Sequence, residues 1–193
     1  NFPLLFHELD SKEPELLFED DKVSVHTIPL NHRIYTNGFL FREKLGERKL
    51  NIDAVQKAKV SMSYYQKIKQ GFDIVNEDGN TIPNKQLTLD PEPSKTYAFC
   101  SDTAYEPAII LQLKEVTVLY HEATFLNEHH ALAEKTKHST AKEAASIARE
   151  ANVKKLILGH YSGRYVDFEC FRKEAQEVFE NVALAEDGKV YIF

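Results

Sequence analysis

Apolar positions recur first with period two and later, between strand-like runs, with period 3.6. The early segments LLFHEL (4–9), ELLFED (15–20) and KVSVHTIPL (22–30) read as short strands. In the third, Val23, Val25 and Thr27 fall on one side, the alternation of a half-buried strand. Asn37-Gly38 predicts a turn ahead of a further strand, FLF (39–41). From 42 to 94 the pattern weakens and Lys and Arg cluster. This stretch predicts a helix over 52–60, a turn at Asp78-Gly79-Asn80 and a proline-rich exit at Asp90-Pro91-Glu92-Pro93. It reads as an inserted arm rather than core.

Beyond the arm, strands and helices alternate. TYAFCSD (96–102), VTVLYHEATF (116–125) and VKKLILGH (153–160) are apolar runs of strand length. Ala144, Ala145, Ile147, Ala148 and Ala151 have the spacing of one helix face, and 168–179 suits a second helix. Such alternation predicts a layered α/β domain.

Composition adds bounds. A length of 193 residues fits one domain with a sizeable core. The net charge of -6 excludes a protein coated all over with basic charge for nucleic acid, yet leaves room for a local basic patch or for bound cations. Cys100 and Cys170 lack CxxC spacing, so neither a zinc knuckle nor a disulfide framework is read, and a reduced, cytoplasmic setting is the default. No apolar run approaches the ~20 residues of a membrane helix, and no signal peptide is read.

Chemistry gathers at the strand ends. The three later runs end in residues that bind metal or move protons: Asp102, His121-Glu122 and His160. In α/β folds the carboxyl ends of strands are where ligands collect. His32 sits just past the strand ending at Leu30, and His138 opens a helix that Ser139-Thr140 is placed to cap. Each has a plainer reading alone, an Asp as a turn residue, a His as a local hydrogen-bond partner. His129 and His130 read as solvent-facing, and His7 and His26, within strands, receive no role. The coincidence of Asp102, Glu122 and His160 at successive strand ends, with His138 between two of them, favours a metal site. Imidazole with carboxylate suits zinc or manganese. Two such metals activate water and stabilise an in-line phosphoryl displacement, so a metallohydrolase is expected.

Five ordered segments, IPLNHRIYTNGFLF, YAFCSDT, LYHEATF, HSTAKEAASIA and LILGHYSGRY, resemble the C-terminal part of the ribonuclease Z family. These are tRNA 3′-processing endonucleases of the metallo-β-lactamase superfamily. The resemblance spans nearly the whole chain and is weakest through the arm. It implies that residues 1–193 form the C-terminal portion of an αββα sandwich, with 42–94 inserted as an arm. It implies His32 as a ligand of one zinc ion, His160 as a ligand of a second and Asp102 as the bridge, manganese being the other metal that fits. His138 would protonate the leaving ribose oxygen. Glu122 would orient neighbours rather than bind metal, or else simply fix its loop as a buried carboxylate. Ser162, Arg164 and Tyr165 follow an H-x-S-x-R-Y pattern, in which Arg164 pairs with a phosphate or with an internal carboxylate. The implied activity is zinc-dependent removal of 3′ trailers from precursor tRNA by a cytoplasmic homodimer with no membrane attachment.

Two departures qualify it. The family's HxHxDH motif is absent from these residues and is expected upstream of Asn1. The chain by itself is therefore expected to be inactive and to bind zinc poorly. The arm, a tRNA-gripping exosite often marked by Gly-Pro in the family, reads KAKVSMSYYQKIKQG instead. Lys57, Lys59, Lys67 and Lys69 could contact phosphates and Tyr64 and Tyr65 could stack on bases. The alternative is a solvated helix face with the tyrosines packed inward. Two other functions stay open: a phosphodiesterase or arylsulfatase-like hydrolase of small substrates, and a non-catalytic protein lacking half the metal site.

Overall fold

In the computed structural model, which describes residues 3–76 and 79–193, the period-two segments pair into a ladder. Strands β1 (Leu16–Glu19), β2 (Val23–Pro29) and β3 (Asn37–Glu43) run antiparallel in turn. The chain then enters a separate compact unit, Lys44–Ser94. It holds β4 (Lys49–Leu50), α1 (Ile52–Lys57), α2 (Tyr65–Lys69), β5 (Ile74–Val75), β6 (Thr81–Ile82), α3 (Asn84–Leu87) and β7 (Thr88–Leu89). The larger unit resumes with β8 (Thr96–Cys100), β9 (Val118–Glu122), α4 (His130–Thr136), α5 (Ala141–Glu150), β10 (Lys155–Gly159), α6 (Glu169–Gln176) and β11 (Val182–Leu184).

Seven strands form one sheet in the order β1-β2-β3-β8-β9-β10-β11. The first four are antiparallel neighbours, and β8, β9, β10 and β11 are parallel. Parallel neighbours need a crossover, which is why the larger unit's helices all fall in the second part of the sequence. One sheet face carries Leu40, Ala98, Cys100, Leu119, Leu156 and Leu158, buried with Ala144, Ala145, Ile147 and Ala148 of α5 and Phe171 and Ala175 of α6. Small residues on α5 let the helix lie close to the strands. Its start is fixed by a capping box: the Glu143 N–H donates to Thr140 Oγ1, and Glu143 accepts from the Thr140 N–H. The opposite face carries a register row of Phe39, Phe99, Tyr120 and Ile157. Phe99 and Tyr120 stack at 4.7 Å and Phe41 lies against Tyr97, but Phe41 stays 37% exposed, so this face is only half covered.

The smaller unit has its own cluster of Val55, Ile68, Ile74 and Leu87, against which Leu50, Tyr65 and Ile82 pack. Asn84, buried, donates to the carbonyls of Ile68 (2.7 Å) and Phe72 (3.0 Å) and so closes the loop between α2 and β5. Among the described residues, no helix is long and apolar enough to cross a membrane.

Several expectations need correction. Asn37-Gly38 is not a turn but the start of β3, the reversal lying just before it, closed by Leu30 N–H to Thr36 O at 3.1 Å. Glycine is required there for another reason: a Cβ would lie 2.4 Å from the Phe99 carbonyl oxygen on β8. Residues 4–9 form no strand; Leu4, Leu5 and Phe6 are 70%, 74% and 86% exposed, without the pairing partner a strand needs. The helix expected over 52–60 ends at Lys57, where Ala58 caps it and Lys59 turns left-handed (φ 53). His138 precedes rather than opens its helix, since Thr140 is the N-cap. Of the turn at 78–80, Asp78 lies outside the described residues; Gly79 (φ 79) donates to Asn76 O.

Candidate active site

Because β8, β9 and β10 are parallel and in register, their carboxyl ends lie at one edge of the sheet. Cys100 pairs with His121, and Glu122 pairs with Gly159. Asp102, Glu122 and His160 are thereby brought together from positions far apart in sequence. Asp102 (φ 58) and His160 (φ 60) both adopt left-handed backbone, a conformation costing non-glycine residues ~1–2 kcal/mol. Such strain recurs where side chains must be aimed at a site. Gly159, just before His160, is imposed by Tyr120: a Cβ there would meet the phenol oxygen at 2.2 Å.

Glu122 is the hub. It is fully buried, and both carboxylate oxygens are saturated by donors. Oε1 accepts from the Thr103 N–H (2.6 Å) and from His138 Nδ1–H (2.8 Å). Oε2 accepts from the Thr124 hydroxyl (2.5 Å) and from the Ser139 N–H (3.2 Å). Burial alone would raise the pKa of Glu122, but the bonds from His138 and Thr124 outweigh it and hold the group below its ordinary range. The same bond to Glu122 raises the pKa of His138 against the opposing effects of burial and of the nearby Arg33 charge.

The hydrogen bonds fix how the imidazole rings are turned. Thr124 spends its one hydroxyl hydrogen on Glu122, so toward His160 it can only accept. His160 Nδ1, 2.8 Å away, therefore donates to it, which fixes the ring with Nε2 turned to the other side. That nitrogen lies 3.5 Å from Asp102 Oδ1. His32 Nδ1 donates to the Lys137 carbonyl at 2.8 Å, and its Nε2 is likewise left uncommitted. Lys137 can present that carbonyl because it ends α4 in left-handed conformation (φ 61). The rings of His32 and His138 are 5.1 Å apart, and those of His138 and His160 stack at 5.3 Å.

This donor set fits a divalent metal. An imidazole nitrogen faces a carboxylate oxygen, and the other nitrogen of each ring is held by a fixed acceptor, as metal-ligating histidines usually are. Among the described residues, two groups bring their ligating atoms within 4.8 Å of one another: His32 with Asp102 and His138, and Glu122 with His138 and His160. The expected ligands His32, Asp102 and His160 thus stand around His138, which belongs to both groups.

The 160–165 loop folds over this edge. The Ser162 N–H donates to Thr124 O (3.0 Å), and Tyr165 Oη accepts from the Leu126 N–H (3.1 Å) and bonds His129 Nδ1 (2.8 Å). His129 is thus held rather than loose in solvent, and His130 bonds Glu143 (3.1 Å). Arg164 lies 5.3 Å over the Phe125 ring, donates to Ser162 and, among the described residues, has no carboxylate partner. In the smaller unit, Lys57, Lys59 and Lys67 are exposed and Lys69 is half-buried; none makes an ion pair among the described residues. Tyr64 is 39% exposed, whereas Tyr65 packs inward.

Sequence reasoning missed Thr103, Thr124 and Lys137, and read Ser139 only as a helix cap. Thr124, two residues beyond Glu122 at a strand end, was open to notice, because i and i+2 share a strand face. The others act through backbone groups, which no side-chain pattern reveals.

No family model matches the chain. A curated protein named Ribonuclease Z from Porphyromonas gingivalis (strain ATCC BAA-308 / W83) is 45% identical over 181 residues, 94% of this chain and 60% of its own length. Another of that name, from Bacteroides thetaiotaomicron, is 43% identical over 187 residues, 97% of this chain and 59% of its own. The chain therefore spans about 60% of the length of these relatives. Among solved structures, the metallo-beta-lactamase fold protein YhfI from Bacillus subtilis aligns with a TM-score of 0.59 at 17% identity, covering 95% of this chain and 54% of that one. Human tRNase Z, short form, aligns with a TM-score of 0.55 at 23% identity, covering 91% and 45%. The fold is that of the metallo-β-lactamases.

Proposed function

This chain is homologous to ribonuclease Z, and from that premise we propose that it supplies the sheet edge and acid–base group of a zinc-dependent endoribonuclease that removes 3′ trailers from tRNA precursors. The observation that carries the reading is the Glu122 hub. One buried carboxylate orients His138 directly and His160 through Thr124, beside Asp102. The family and fold imply a metal cofactor.

His32 and His160 would be ligands to two zinc ions and Asp102 the bridge between them. Two tetrahedral ions need more donors than three side chains provide, so the reading includes ligands from outside these 193 residues. When bound, the pair would supply activated water and charge neutralisation at the phosphate. The chain's own residues supply the remaining work. His138, its pKa raised by the bond to Glu122, would give a proton from Nε2 to the departing 3′-oxygen. Glu122 keeps Nδ1–H engaged, so the ring neither rotates nor loses the wrong proton. Arg164, over the Phe125 ring with nitrogens to spare, would contact a substrate phosphate. The segment 42–94 would be the tRNA-gripping arm, with Lys57, Lys59, Lys67 and Lys69 on phosphates. A homodimer and a cytoplasmic location complete the proposal, and two free cysteines suit a reducing compartment.

A second reading, hydrolysis of small phosphodiesters, is favoured by the absence of Gly-Pro from the arm. The deciding experiment compares precursor tRNA with bis-p-nitrophenyl phosphate, using the full-length protein loaded with zinc. Endonucleolytic cleavage that leaves a 3′-hydroxyl on the tRNA is expected. Turnover of the small ester with none of the tRNA would overturn the proposal.

A further inference from the structure

Two cavities of unlike charge open beside the histidine pair and share Asn31 in their walls. The larger, about 580 Å³, lies beside His32 and is lined by Lys12, Arg33, Tyr35 and Glu106 among others. The smaller, about 270 Å³, lies beside His138 and includes Lys137, Glu134 and Glu143. In the first, the carboxylate is already spent: Glu106 Oε2 accepts from Asn31 Nδ2 (3.2 Å) and Oε1 from the Ala108 N–H (3.2 Å). Lys12 and Arg33 are exposed and make no ion pair among the described residues. Their charge is left for something else. In the second cavity Glu143 is likewise spent, on Thr140 and His130, which leaves Glu134 beside Lys137 and less free positive charge for a run of phosphates.

The chemistry orients the RNA across these two spaces. Water adds its oxygen to phosphorus and releases one proton to bulk solvent, the P–O3′ bond breaks, and a proton passes from His138 to the departing 3′-oxygen. The nucleoside that owns that oxygen must therefore sit on the His138 side. The phosphate stays with the downstream strand, and with the retained ribose on the His138 side the cavity beside His32 is the space left for that strand. We propose that the cavity beside His32 is the subsite for the first nucleotides of the 3′ trailer, with Arg33 and Lys12 contacting the phosphates beyond the scissile one. The cavity beside His138 takes the ribose of the last nucleotide that the tRNA retains. Cleavage adds negative charge to the 5′-phosphate of the trailer, so the same cations would also hold the product. This assignment rests on the endoribonuclease reading above.

The test uses the zinc-loaded full-length protein and two precursor tRNAs. One has a single-nucleotide trailer, with no phosphate beyond the scissile one; the other has a longer trailer. The wild-type protein is expected to favour the longer trailer in kcat/KM. In the combined Arg33→Ala, Lys12→Ala variant that preference should fall about tenfold or more, the factor a charge-assisted hydrogen bond carries. A binding measurement without turnover accompanies it: fluorescence anisotropy of a labelled, 5′-phosphorylated RNA oligonucleotide. Its salt dependence should flatten by ~0.7 in log–log slope for each phosphate that the variant no longer neutralises. Arg33→Lys should keep most of both signals. A variant that retains the preference, or loses activity on both substrates equally, overturns the trailer subsite. If the wild-type protein cleaves neither precursor, the endoribonuclease reading itself falls.

Discussion

Replacing Thr124 by valine keeps volume and branching while deleting the hydroxyl that links Glu122 to His160. Two bonds go at once, the 2.5 Å bond donated to Glu122 Oε2 and the 2.8 Å bond accepted from His160 Nδ1. Oε2 would keep only the Ser139 N–H at 3.2 Å, inside a site closed to water. A hydrogen bond to a buried charge is worth about 1.5–3 kcal/mol, so a loss of ~2 kcal/mol is expected. In a chain of this length that lowers Tm by roughly 4–8 °C. The functional consequence is separate: without its acceptor, His160 Nδ1–H loses the partner that holds the ring with Nε2 toward the site. Losing such an orienting partner typically costs ~10–100-fold in metal affinity. Long-range proton–nitrogen NMR on the metal-free chain reads the tautomer, and competition with a zinc-binding dye reads affinity in the full-length protein. Thr124→Ser should restore both. If the valine variant still protonates His160 at Nδ1 and binds zinc as tightly as the wild type, the relay from Glu122 is not what orients His160.

The Glu122–His138 pair predicts a stability window. The pKa of Glu122 is lowered, so its contribution is present above the ordinary 4.5 and is lost as pH falls through the folded value. The pKa of His138 is raised, so its contribution is complete below the ordinary 6.5 and fades as pH rises through the folded value. The metal-free chain should therefore gain most from the pair between those limits, and denaturant titrations of Glu122→Gln should lack that maximum. Gly159→Ala should cost ~1–3 kcal/mol by pushing Tyr120 off Phe99, with partial recovery when Tyr120→Leu is added; calorimetry checks both. Replacing Lys57, Lys59, Lys67 and Lys69 together by alanine should weaken tRNA binding and flatten its salt dependence, measured by filter binding across a salt series. Unchanged affinity would remove these lysines from the interface.

Six of the seven strands of the large sheet were legible because apolar period survives in single sequences, β11 being too short to show one, and their donors because parallel strands put their carboxyl ends together. Asp102, Glu122 and His160 needed no more than that. The backbone contributions did not show. Backbone N–H and carbonyl groups occur all along the chain, and only the fold decides that those of Thr103 and Ser139 point at Glu122 and that of Lys137 at His32. Gly38 misled because the same residue serves a tight turn and a close strand approach; distinguishing them required knowing that β8 lies beside it. Residues 4–9 misled because strand propensity cannot report whether a partner is there to pair with.

The left-handed backbone at Asp102 has a further consequence, for descent rather than for chemistry. Glycine adopts that conformation at no steric cost, so Asp102→Gly should raise the unfolding temperature while removing the proposed bridge between metals. Stability and catalysis then pull on the same codon in opposite directions. In a duplicated gene copy released from the proposed reaction, this position should be among the earliest to drift, and toward glycine. A glycine at the position of Asp102 in a relative would mark a copy that keeps the fold and has given up the reaction.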